Sequence, residues 1–499
     1  MINDLKTVTP ESEGISSGMI SELLEEIKER KLDVHGLMIM RHGNILAEGY
    51  CKPFHKEFQH RVYSCSKTFV ALAVAKLIGE GKLNLEDKLI DFFPEYREIC
   101  DEENAHMSVE NALTMQVSLP PTTTYSDRKN GVIYPKPSGW DKSAFAAKSE
   151  LPNGMLFQYN TTANYLLNVI VEKVTGKLFL DYLRPEFDEM GISKDIDCVK
   201  SPDGNSWGGS GVVCTLRDLA KVGQLLMDHG KWNGKQLFPY DYMVRATSKL
   251  AENSFNGVRT YNTCGYGYQI WMEPLGYGMH GMLGQMVHCF PGKELLIAYQ
   301  ATFLSDASVA GYHLIYNCMS RIYKKIGDLP LQEDAEAYLR LTDDLSNMSL
   351  GKGYGEAHSK LEEKVQNKKY ILEENPMGIK WICFSFHDQN GVFIYENRRG
   401  VKEIPFGYEE YIAFEMPERY YGMNIGTMME KGYDAICLGS WVDDNSILLK
   451  LNIIDIYMGG VIFYCNFKED KIVLSMNKST EYYMYDYQGI AVGTSLSTR

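Results

Sequence analysis

The sequence lacks the long apolar runs and paired cysteines that mark membrane-spanning and disulfide-rich proteins. No uninterrupted apolar stretch approaches the roughly 20 residues that a helix needs to cross a bilayer. The eleven cysteines stand singly, without a C-x-x-C pair, and their odd number favours a reducing compartment. The opening residues, MINDLKTVTPESEG, show no basic segment followed by an apolar run. We therefore predict a cytoplasmic protein that has no signal peptide and does not bind membranes.

Basic charge and metal-binding spacings are also scarce. The 51 basic residues are outnumbered by 65 acidic ones, and the net charge of −14 repels phosphate backbones. No H-E-x-x-H spacing, G-x-S-x-G elbow or Walker A loop occurs. A formal G-x-G-x-x-G at 276–281 precedes a strand pattern instead of a helix, which argues against a dinucleotide site. The sequence thus predicts no nucleic-acid partner, no metal and no cofactor.

The pattern along the chain indicates more than one folded unit. With 499 residues of ordinary globular composition, two or three units are expected. In residues 1–325, strand patterns lie at both ends and helical patterns lie between them. This order predicts an α+β domain with one antiparallel sheet, a helical layer and a helical insertion. Residues 326–369 are charged and predict a helical linker, and 370–499 show short alternating runs typical of an all-β module.

The sharpest local feature is Ser64 at the start of YSCSKTFVALAVAKLIGEG, with Lys67 three residues later on the same helical face. The positive end of a helix favours developing negative charge, and an ammonium group would lie beside the hydroxyl. The S-x-x-K spacing alone is weak evidence, because it recurs at Ser126 with Lys129, Ser349 with Lys352, and Ser475 with Lys478. Only Ser64 opens a strongly apolar helix, which forces a lysine inward at an energetic cost. We interpret the pair as a nucleophile and its activator; an N-cap serine with a snorkelling lysine is the alternative.

Two further patterns lie downstream. In PNGMLFQYNTTANYLLNVIVEKVTGK, the residues Tyr159-Asn160-Thr161 precede an amphipathic helix. A phenol has a pKa near 10, so a tyrosine that acts as a base at neutral pH needs nearby cations such as Lys67. One tyrosine among 33 is by itself more often a packed ring. In YGMHGMLGQMVHC, Met279-His280-Gly281 leads into a strand, where a glycine lets the backbone approach a substrate.

These three motifs, in this order, resemble the serine β-lactamase and penicillin-binding-protein superfamily. The resemblance is closer to the class C β-lactamase-like serine hydrolases, also grouped as peptidase family S12 with esterases and 6-aminohexanoate-dimer hydrolases. It covers roughly residues 7–320 and includes the phrases NALTMQVSLP, GGSGVVCTLRDLAKVGQLLMDHGKWNGKQL and GYGYQIWM. It implies a β-lactamase-like α/β sandwich, followed by a C-terminal barrel or half-barrel of the lipocalin-like kind.

The resemblance also implies roles for the motif residues. Ser64 would be the acylated nucleophile, Lys67 its proton partner, and Tyr159 a second acid/base that serves the leaving group. Main-chain amides of Ser64 and Met282 would form the oxyanion hole. The expected activity is hydrolysis of small or peptide-like esters or amides without a cofactor. An acyltransferase with the same acyl-enzyme and a non-catalytic binding module stay open as alternatives.

Two departures from the family pattern bear on the substrate. Thr161 stands where many relatives have an amide that contacts substrate. Met279 offers no cation for a substrate carboxylate, so recognition of penicillin-like acids is not expected. His280 either takes over that contact or points to the opposite face of the strand, as strand alternation slightly favours. Thr161, His280 and Gly281 are predicted to contact substrate.

The segment 119–150 is predicted to cover the substrate pocket. Its aromatic residues Tyr125, Tyr134 and Trp140 would favour an apolar acyl or leaving group. The same segment contains Ser126-Asp127-Arg128, which resembles the Ser-Asp-Asn element of class A enzymes but lacks the helix that should follow. Tyr159 is therefore preferred for the acid/base role. The C-terminal module would cap the pocket, mediate a homo-oligomer or stabilise the chain.

Overall fold

The computed structural model describes residues 5–120, 126–129, 132–135, 138–256, 263–303, 306–417, 433–455, 459–479 and 487–495. These residues divide into two compact units. The first contains the described residues up to 301 together with 309–349, and the second contains 302–303, 306–308 and the described residues from 350 onward. Within the described ranges, no helix is long and apolar enough to cross a membrane.

The elements of the first unit follow the predicted order of strands, helices and strands. Its described helices are α1 (Ser17–Glu29), α2 (Ser66–Gly79), α3 (Glu102–Ala105), α4 (Val109–Leu113), α5 (Trp140–Phe145), α6 (Thr161–Thr175), α7 (Phe179–Met190), α8 (Leu216–Met227), α9 (Tyr240–Ala246), α10 (Asp306–Lys325) and α11 (Ala335–Ser346). Its described strands are β1 (Val34–Arg41), β2 (Asn44–Tyr50), β3 (His60–Arg61), β4 (Ser126–Lys129), β5 (Val132–Pro135), β6 (Asp197–Cys198), β7 (Val212–Cys214), β8 (Lys231–Trp232), β9 (Lys235–Gln236), β10 (Trp271–Glu273), β11 (Gly276–Gly281), β12 (Gln285–Phe290) and β13 (Leu295–Ala301).

One antiparallel sheet, in the order β10-β11-β12-β13-β1-β2, organises the first unit. Because β1 pairs with β13, strands from the two ends of the unit are neighbours in the middle of the sheet. This confirms the predicted α+β fold with a sheet built from both ends. The β1–β2 hairpin turns at His42 and Gly43, whose φ values of 49° and 77° fit the type I′ turn that matches strand twist.

The alternating runs YGYQIWM, GQMVHCF and LLIAYQATF predict three strands between 265 and 303, and β11 is a fourth, at the strand motif Met279-His280-Gly281. Its sequence, GYGMHG, is rich in glycine, which strands usually avoid. The glycines are required by the close approach of β12. A methyl group on Gly276 would lie 2.0 Å from the carbonyl oxygen of Cys289, and one on Gly278 would lie 2.5 Å from that of Val287. Tight strand packing therefore overrides propensity here.

Helices cover the sheet and form a separate layer around α2. Every residue of α2 from Ser66 to Ala75 is buried, as its nearly continuous apolar sequence predicts. It packs against α6 and α7, while α8 packs on β1, β12 and β13. Helix α6 begins at an Asn160 cap, whose Oδ1 accepts a hydrogen bond from the Ala163 amide at 3.1 Å. This cap sets where the residues just before α6 lie.

The second unit is a closed sheet, so the predicted all-β module is a barrel and not the alternative half-barrel. Its described elements are α12 (Glu362–Val365), β14 (Tyr370–Leu372), β15 (Trp381–Phe386), β16 (Asn390–Asn397), β17 (Gly400–Gly407), β18 (Ile412–Glu415), β19 (Asp434–Asp443), β20 (Ser446–Ile453), β21 (Gly459–Lys468), β22 (Lys471–Ser479) and β23 (Gly489–Ser495). The order is β17-β16-β15-β14-β23-β22-β21-β20-β19-β18, and Gly407 pairs with Leu438 to join β17 to β19. Phenylalanine rings fill the interior; Phe393, for example, lies 5.0 Å from Phe384 and 5.4 Å from Phe463 between ring centroids.

The predicted linker, 326–369, is helical only in part. It contains α11 and the short α12, with irregular chain between them. Helix α11 packs against α1 and β2, within the first unit. Its buried residues are Leu341 and Leu345, which give this charged segment an apolar contact with the rest of the unit.

Candidate active site

Ser64 lies in a tight turn, Tyr63–Cys65, directly before α2. Between His60 and Ala75 every side chain is buried except that of Ser64, which is half-buried. Tyr63 has φ 46°, in the left-handed region that non-glycine residues seldom adopt and that clusters at functional sites. The turn therefore presents one hydroxyl at the end of a buried helix.

Lys67 extends from the first turn of α2 toward that hydroxyl. Its Nζ lies 3.1 Å from Ser64 Oγ and donates to the carbonyl oxygen of Gly209 at 2.5 Å. Only 1% of the residue is exposed, and this burial lowers the pKa of the Lys67 amine to about 7. The amine does not reach solvent, so the snorkelling alternative does not describe it. Near neutral pH a large share of this amine carries no proton and can accept one.

Tyr159 comes to the same place from the segment before α6. The Nζ of Lys67 lies 4.9 Å from the centroid of the Tyr159 ring. The ring stacks on Trp271 at 5.3 Å with an interplanar angle of 22°, and Tyr266 stands perpendicular to it at 6.4 Å. The structure thus brings Ser64, Lys67 and Tyr159 together from two distant stretches of chain.

Met115 fixes the backbone on both sides of Tyr159. The Gln158 amide donates to the Met115 carbonyl oxygen at 2.9 Å, and the Asn160 amide donates to its Sδ at 2.9 Å. Asn160 also donates from Nδ2 to the Leu119 carbonyl oxygen at 2.8 Å. These bonds explain why the middle residue of the Tyr-Asn-Thr motif is fully buried and acts in the scaffold.

The turn between β11 and β12, which begins at Met282, packs against the Ser64 turn. A methyl group on Gly281 would lie 2.4 Å from the Val62 carbonyl oxygen, so only glycine permits this approach. On the other side of the turn, Cys65 donates from Sγ to the Gln285 carbonyl oxygen at 3.1 Å. The Met282 side chain is exposed. A joint oxyanion hole of the Ser64 and Met282 amides stays a prediction that this packing supports.

Thr161 and Cys65 complete the immediate surroundings of Lys67. A Cβ on Gly209, the glycine whose carbonyl binds Lys67, would lie 2.6 Å from Thr161 Cγ2. Thr161 therefore borders the site, and its contact with substrate stays a prediction. Burial raises the pKa of the Cys65 thiol well above its usual range, so this neighbour of Ser64 is a packing residue at neutral pH.

Of the three aromatic residues predicted to cover the pocket, the structure describes only the side chain of Trp140. Trp140 is fully buried at the start of α5, where its ring meets Tyr165 at 5.4 Å and Trp207 at 5.7 Å. It would have to leave this packing to contact a substrate. Tyr125 lies outside the described residues, and of Tyr134 only the backbone in β5 is described. The rival Ser126-Asp127-Arg128 element lies in β4 of a two-stranded hairpin, without the helix that a class A site requires.

His280 takes the second of its two predicted orientations, the one that strand alternation slightly favours, and its contact with substrate stays a prediction. Alternation along β11 turns its side chain to the face opposite that of Gly281. There its Nε2 lies 2.6 Å from Glu273 Oε1, and His288 Nδ1 lies 2.7 Å from the same oxygen. The His280 ring stacks on Trp271 at 5.6 Å, and Trp271 also stacks on Tyr159.

The sequence did not predict this grouping or the aromatic wall. Glu273, His280 and His288 stand on three different strands, so no fixed sequence spacing identifies them. The signal that could have found them is strand register, because Gly278 pairs with His288 across the β11–β12 turn. Trp271 lies in the phrase GYGYQIWM, which resembles the family but by itself predicts no role for the ring.

Comparison with known proteins finds a family match for part of the chain. The family model described as Beta-lactamase matches residues 20–314, which is more than half of the chain. The match includes all three motif segments. It ends before the barrel of the second unit, so it concerns the first unit.

Two curated relatives and one solved structure are similar over part of the chain. The 6-aminohexanoate-dimer hydrolase of Paenarthrobacter ureafaciens is 26% identical over 223 residues, which are 42% of this chain and 56% of that protein. Protein flp of Staphylococcus aureus (strain MW2) is 25% identical over 130 residues, 25% of each chain. The chain thus matches about half or less of these relatives' lengths. A Bacillus anthracis structure assigned as a 6-aminohexanoate-dimer hydrolase superposes with a TM-score of 0.50 at 19% identity, over 65% of this chain and 87% of the other, which shows a shared fold.

Proposed function

The chain belongs to the beta-lactamase family, as its motifs predict, and we propose that it is a serine hydrolase that cleaves esters or amides through a covalent acyl-enzyme on Ser64. The observation that carries the proposal is the buried Lys67 amine, 3.1 Å from the half-buried Ser64 hydroxyl. An amine whose pKa is lowered to about 7 can accept the proton of a serine near neutral pH. The hydrolase name of a curated relative is consistent with this chemistry.

In the first step, the Ser64 oxygen attacks the substrate carbonyl carbon while its proton moves to Lys67 Nζ. The ammonium that forms keeps its hydrogen bond to the Gly209 carbonyl. The negative charge that develops on the carbonyl oxygen would be bound by the amides of Ser64 and Met282. The positive end of α2, just after Ser64, favours the same charge.

In the second step, the carbon–leaving group bond breaks and the leaving atom takes a proton from the Tyr159 phenol, which Lys67 reprotonates. Water then attacks the carbonyl carbon of the acyl-enzyme. Its proton passes by way of Tyr159 and Lys67 to the Ser64 oxygen, and the carboxylic acid is released. The Lys67 ammonium, 4.9 Å from the Tyr159 ring centroid, stabilises negative charge on the phenol oxygen.

We propose a substrate without a carboxylate at the position that penicillins use. Met279, at the first place of the strand motif, is buried and carries no charge. The half-buried rings of Tyr159 and Trp271 form an aromatic wall next to Lys67, which favours an apolar acyl or leaving group.

Covalent labelling tests the proposal directly. The full chain is incubated with a fluorophosphonate or a p-nitrophenyl ester, and its intact mass and proteolytic peptides are measured. One adduct, located on Ser64, is the expected result. Absence of an adduct with the folded protein would favour the non-catalytic binding module and overturn the proposal. Adding an alcohol acceptor to the ester reaction distinguishes hydrolysis from acyl transfer by the product formed.

The pH dependence of kcat/KM is expected to follow the Lys67 amine. The group must be neutral to accept the serine proton, and it is protonated below its pKa of about 7. The rate constant should therefore rise about tenfold per pH unit below 7 and level off above it. Initial rates with an uncharged ester, followed by pH titration of the released acid, measure the profile. A flat profile between about pH 5 and 9 would exclude Lys67 as the base.

Replacing Tyr159 by phenylalanine is expected to lower kcat by about 100-fold, because the ring stays stacked on Trp271 while the acid/base hydroxyl is lost. The loss should be greater for amides and alkyl esters than for nitrophenyl esters, whose leaving group needs no proton. The matched control is Tyr165→Phe, which should leave kcat unchanged. Tyr165 lies on α6, and its hydroxyl is hydrogen-bonded to Ser201 Oγ at 3.1 Å. Equal rates for wild type and Tyr159→Phe on an alkyl ester would remove the phenol from the mechanism.

A further inference from the structure

A second group of titratable side chains lies on strands β10, β11 and β12 next to Trp271, and the proposed reaction does not use it. Glu273 on β10, His280 on β11 and His288 on β12 place one oxygen and two ring nitrogens within 4.8 Å of one another. Both nitrogens converge on a single atom, Glu273 Oε1. We propose that these three residues bind a divalent transition-metal ion, with Zn²⁺ as the best-matched ion.

The sheet itself builds the site. Trp271 pairs with Gly278, and Gly278 pairs with His288, so side chains at alternate positions of three hydrogen-bonded strands share one face. A Cβ on Gly278 would lie 2.6 Å from Glu273 Oε1 and 3.1 Å from His280 Nε2. The glycine therefore leaves open the space in which the three donor atoms meet.

The hydrogen bonds of Glu273 leave it incompletely satisfied. Its side chain is fully buried, and among the described residues its Oε2 has no hydrogen-bond partner. A buried carboxylate oxygen without a partner is costly, and such carboxylates are usually paired or bound to metal. An ion bound by one carboxylate oxygen and the two imidazoles would neutralise the carboxylate and offset the cost of leaving its second oxygen without a hydrogen bond. This unpartnered oxygen supports the site independently of the convergence of the nitrogens.

The donor set indicates the kind of ion. Two imidazole nitrogens and one carboxylate, with a fourth position for water, form a known zinc-binding combination. In a tetrahedral zinc site with bonds of about 2.1 Å, neighbouring ligand atoms are roughly 3.4 Å apart. The two ring nitrogens now lie 2.6 and 2.7 Å from Glu273 Oε1, so each distance must increase by less than about 1 Å. The His280 side chain is 10% exposed, which gives the ion an entry path. Tyr299, whose hydroxyl lies 3.5 Å from His288 Nε2, is placed to orient that ring.

A bound ion would join the edge strand β10 to β11 and β12. Trp271 lies two residues before Glu273 and stacks against both His280 and Tyr159. The ion would therefore hold the wall on which Tyr159 rests. It would act on the structure of the site without contacting the reacting atoms.

Metal titration of the full chain tests the inference. The protein is stripped with EDTA, dialysed and titrated with ZnSO₄ against a chromophoric chelator, and bound zinc is counted by mass spectrometry. One equivalent per chain is expected, together with a rise in Tm. His280→Gln and His288→Gln should each weaken zinc binding at least about tenfold. The control, His55→Gln, changes an exposed histidine outside the cluster and should bind zinc as the wild type does.

Cobalt substitution keeps the test decisive if a variant does not fold. Co²⁺ bound by nitrogen and oxygen donors gives weak visible bands, whereas thiolate ligands give intense near-ultraviolet charge transfer. Weak bands in the wild-type chain support the site, and thiolate bands would assign the metal to cysteines and overturn it. Absence of a stoichiometric ion, or zinc affinity unchanged in both histidine variants, would also overturn it. Because Ser64→Ala should bind zinc as the wild type does, this result is independent of the proposed hydrolase activity.

Discussion

Replacing Ser64 by alanine is expected to abolish covalent labelling and to lower kcat/KM for a p-nitrophenyl ester by about 10⁴-fold or more. The substitution removes the only atom that forms the acyl bond in the proposed mechanism. Binding and the oxyanion hole would remain and account for residual turnover. The fold should be kept, because Ser64 is half-buried and the turn is held by main-chain bonds, such as that from Cys65 to Val62 at 3.1 Å. Intact mass, steady-state kinetics and the Tm measure the three outcomes.

Ser475→Ala is the matched control for that experiment. Ser475 has a lysine at the same spacing, Lys478, but lies on strand β22 instead of before a helix. Labelling and kcat/KM should equal those of the wild type. Labelling that persists at an unchanged rate in Ser64→Ala would remove Ser64 from the mechanism, and loss of labelling in Ser475→Ala would point to a different nucleophile.

Replacing Lys67 by methionine is expected to lower kcat/KM by about 10³-fold, because the serine then loses its proton acceptor. Methionine has nearly the length of lysine and suits a fully buried position. The Gly209 carbonyl loses its 2.5 Å partner, which is expected to cost about 1 to 3 kcal/mol of unfolding free energy. The dependence of the residual rate on pH near 7 should disappear with the amine. Stopped-flow kinetics with an activated ester measure the loss of activity, and urea unfolding measures the loss of unfolding free energy separately.

Lys76→Met tests whether any lysine of α2 would give the same result. Lys76 lies nine positions further along the helix, where its Nζ pairs with Glu186 at 2.6 Å. Loss of the Lys76 amine should lower only the free energy of unfolding and leave kcat/KM within about twofold of the wild-type value. Equal losses of activity in Lys67→Met and Lys76→Met would indicate that α2 tolerates no such change and that Lys67 has no special role.

The larger features of the fold could be predicted because they depend on local patterns. The apolar sequence of α2 predicts a buried helix. The alternating runs of GLMIMRHGNILAEGY predict a hairpin with its turn at Gly43-Asn44, and the structure places that turn one residue earlier, at His42-Gly43. The order of strand and helix patterns then leaves few topologies that join both ends of the unit in one sheet. The Ser64 and Lys67 pair could be predicted because its two members are three residues apart on one helix.

Features that depend on contacts between distant segments could not be predicted in the same way. Strand β11 has glycines that only its close approach to β12 explains, so its strand character does not show in composition. Trp140 was assigned to the pocket from its position in a long polar segment, but a large ring gains more from full burial between Tyr165 and Trp207. To predict the cluster around Glu273 from the sequence, the register of three strands must be known at the same time.

The pairing of β1 with β13 has a consequence for synthesis on the ribosome. Val34 and Ala301, which are partners across that pair, are separated by most of the first unit. The amino-terminal hairpin must therefore wait for the last strand to emerge, with one long edge unoccupied and accessible to chaperones. Such long-range closure slows folding and exposes unpaired strands to aggregation. A nascent chain that stops before β13 should accumulate as a protease-sensitive intermediate.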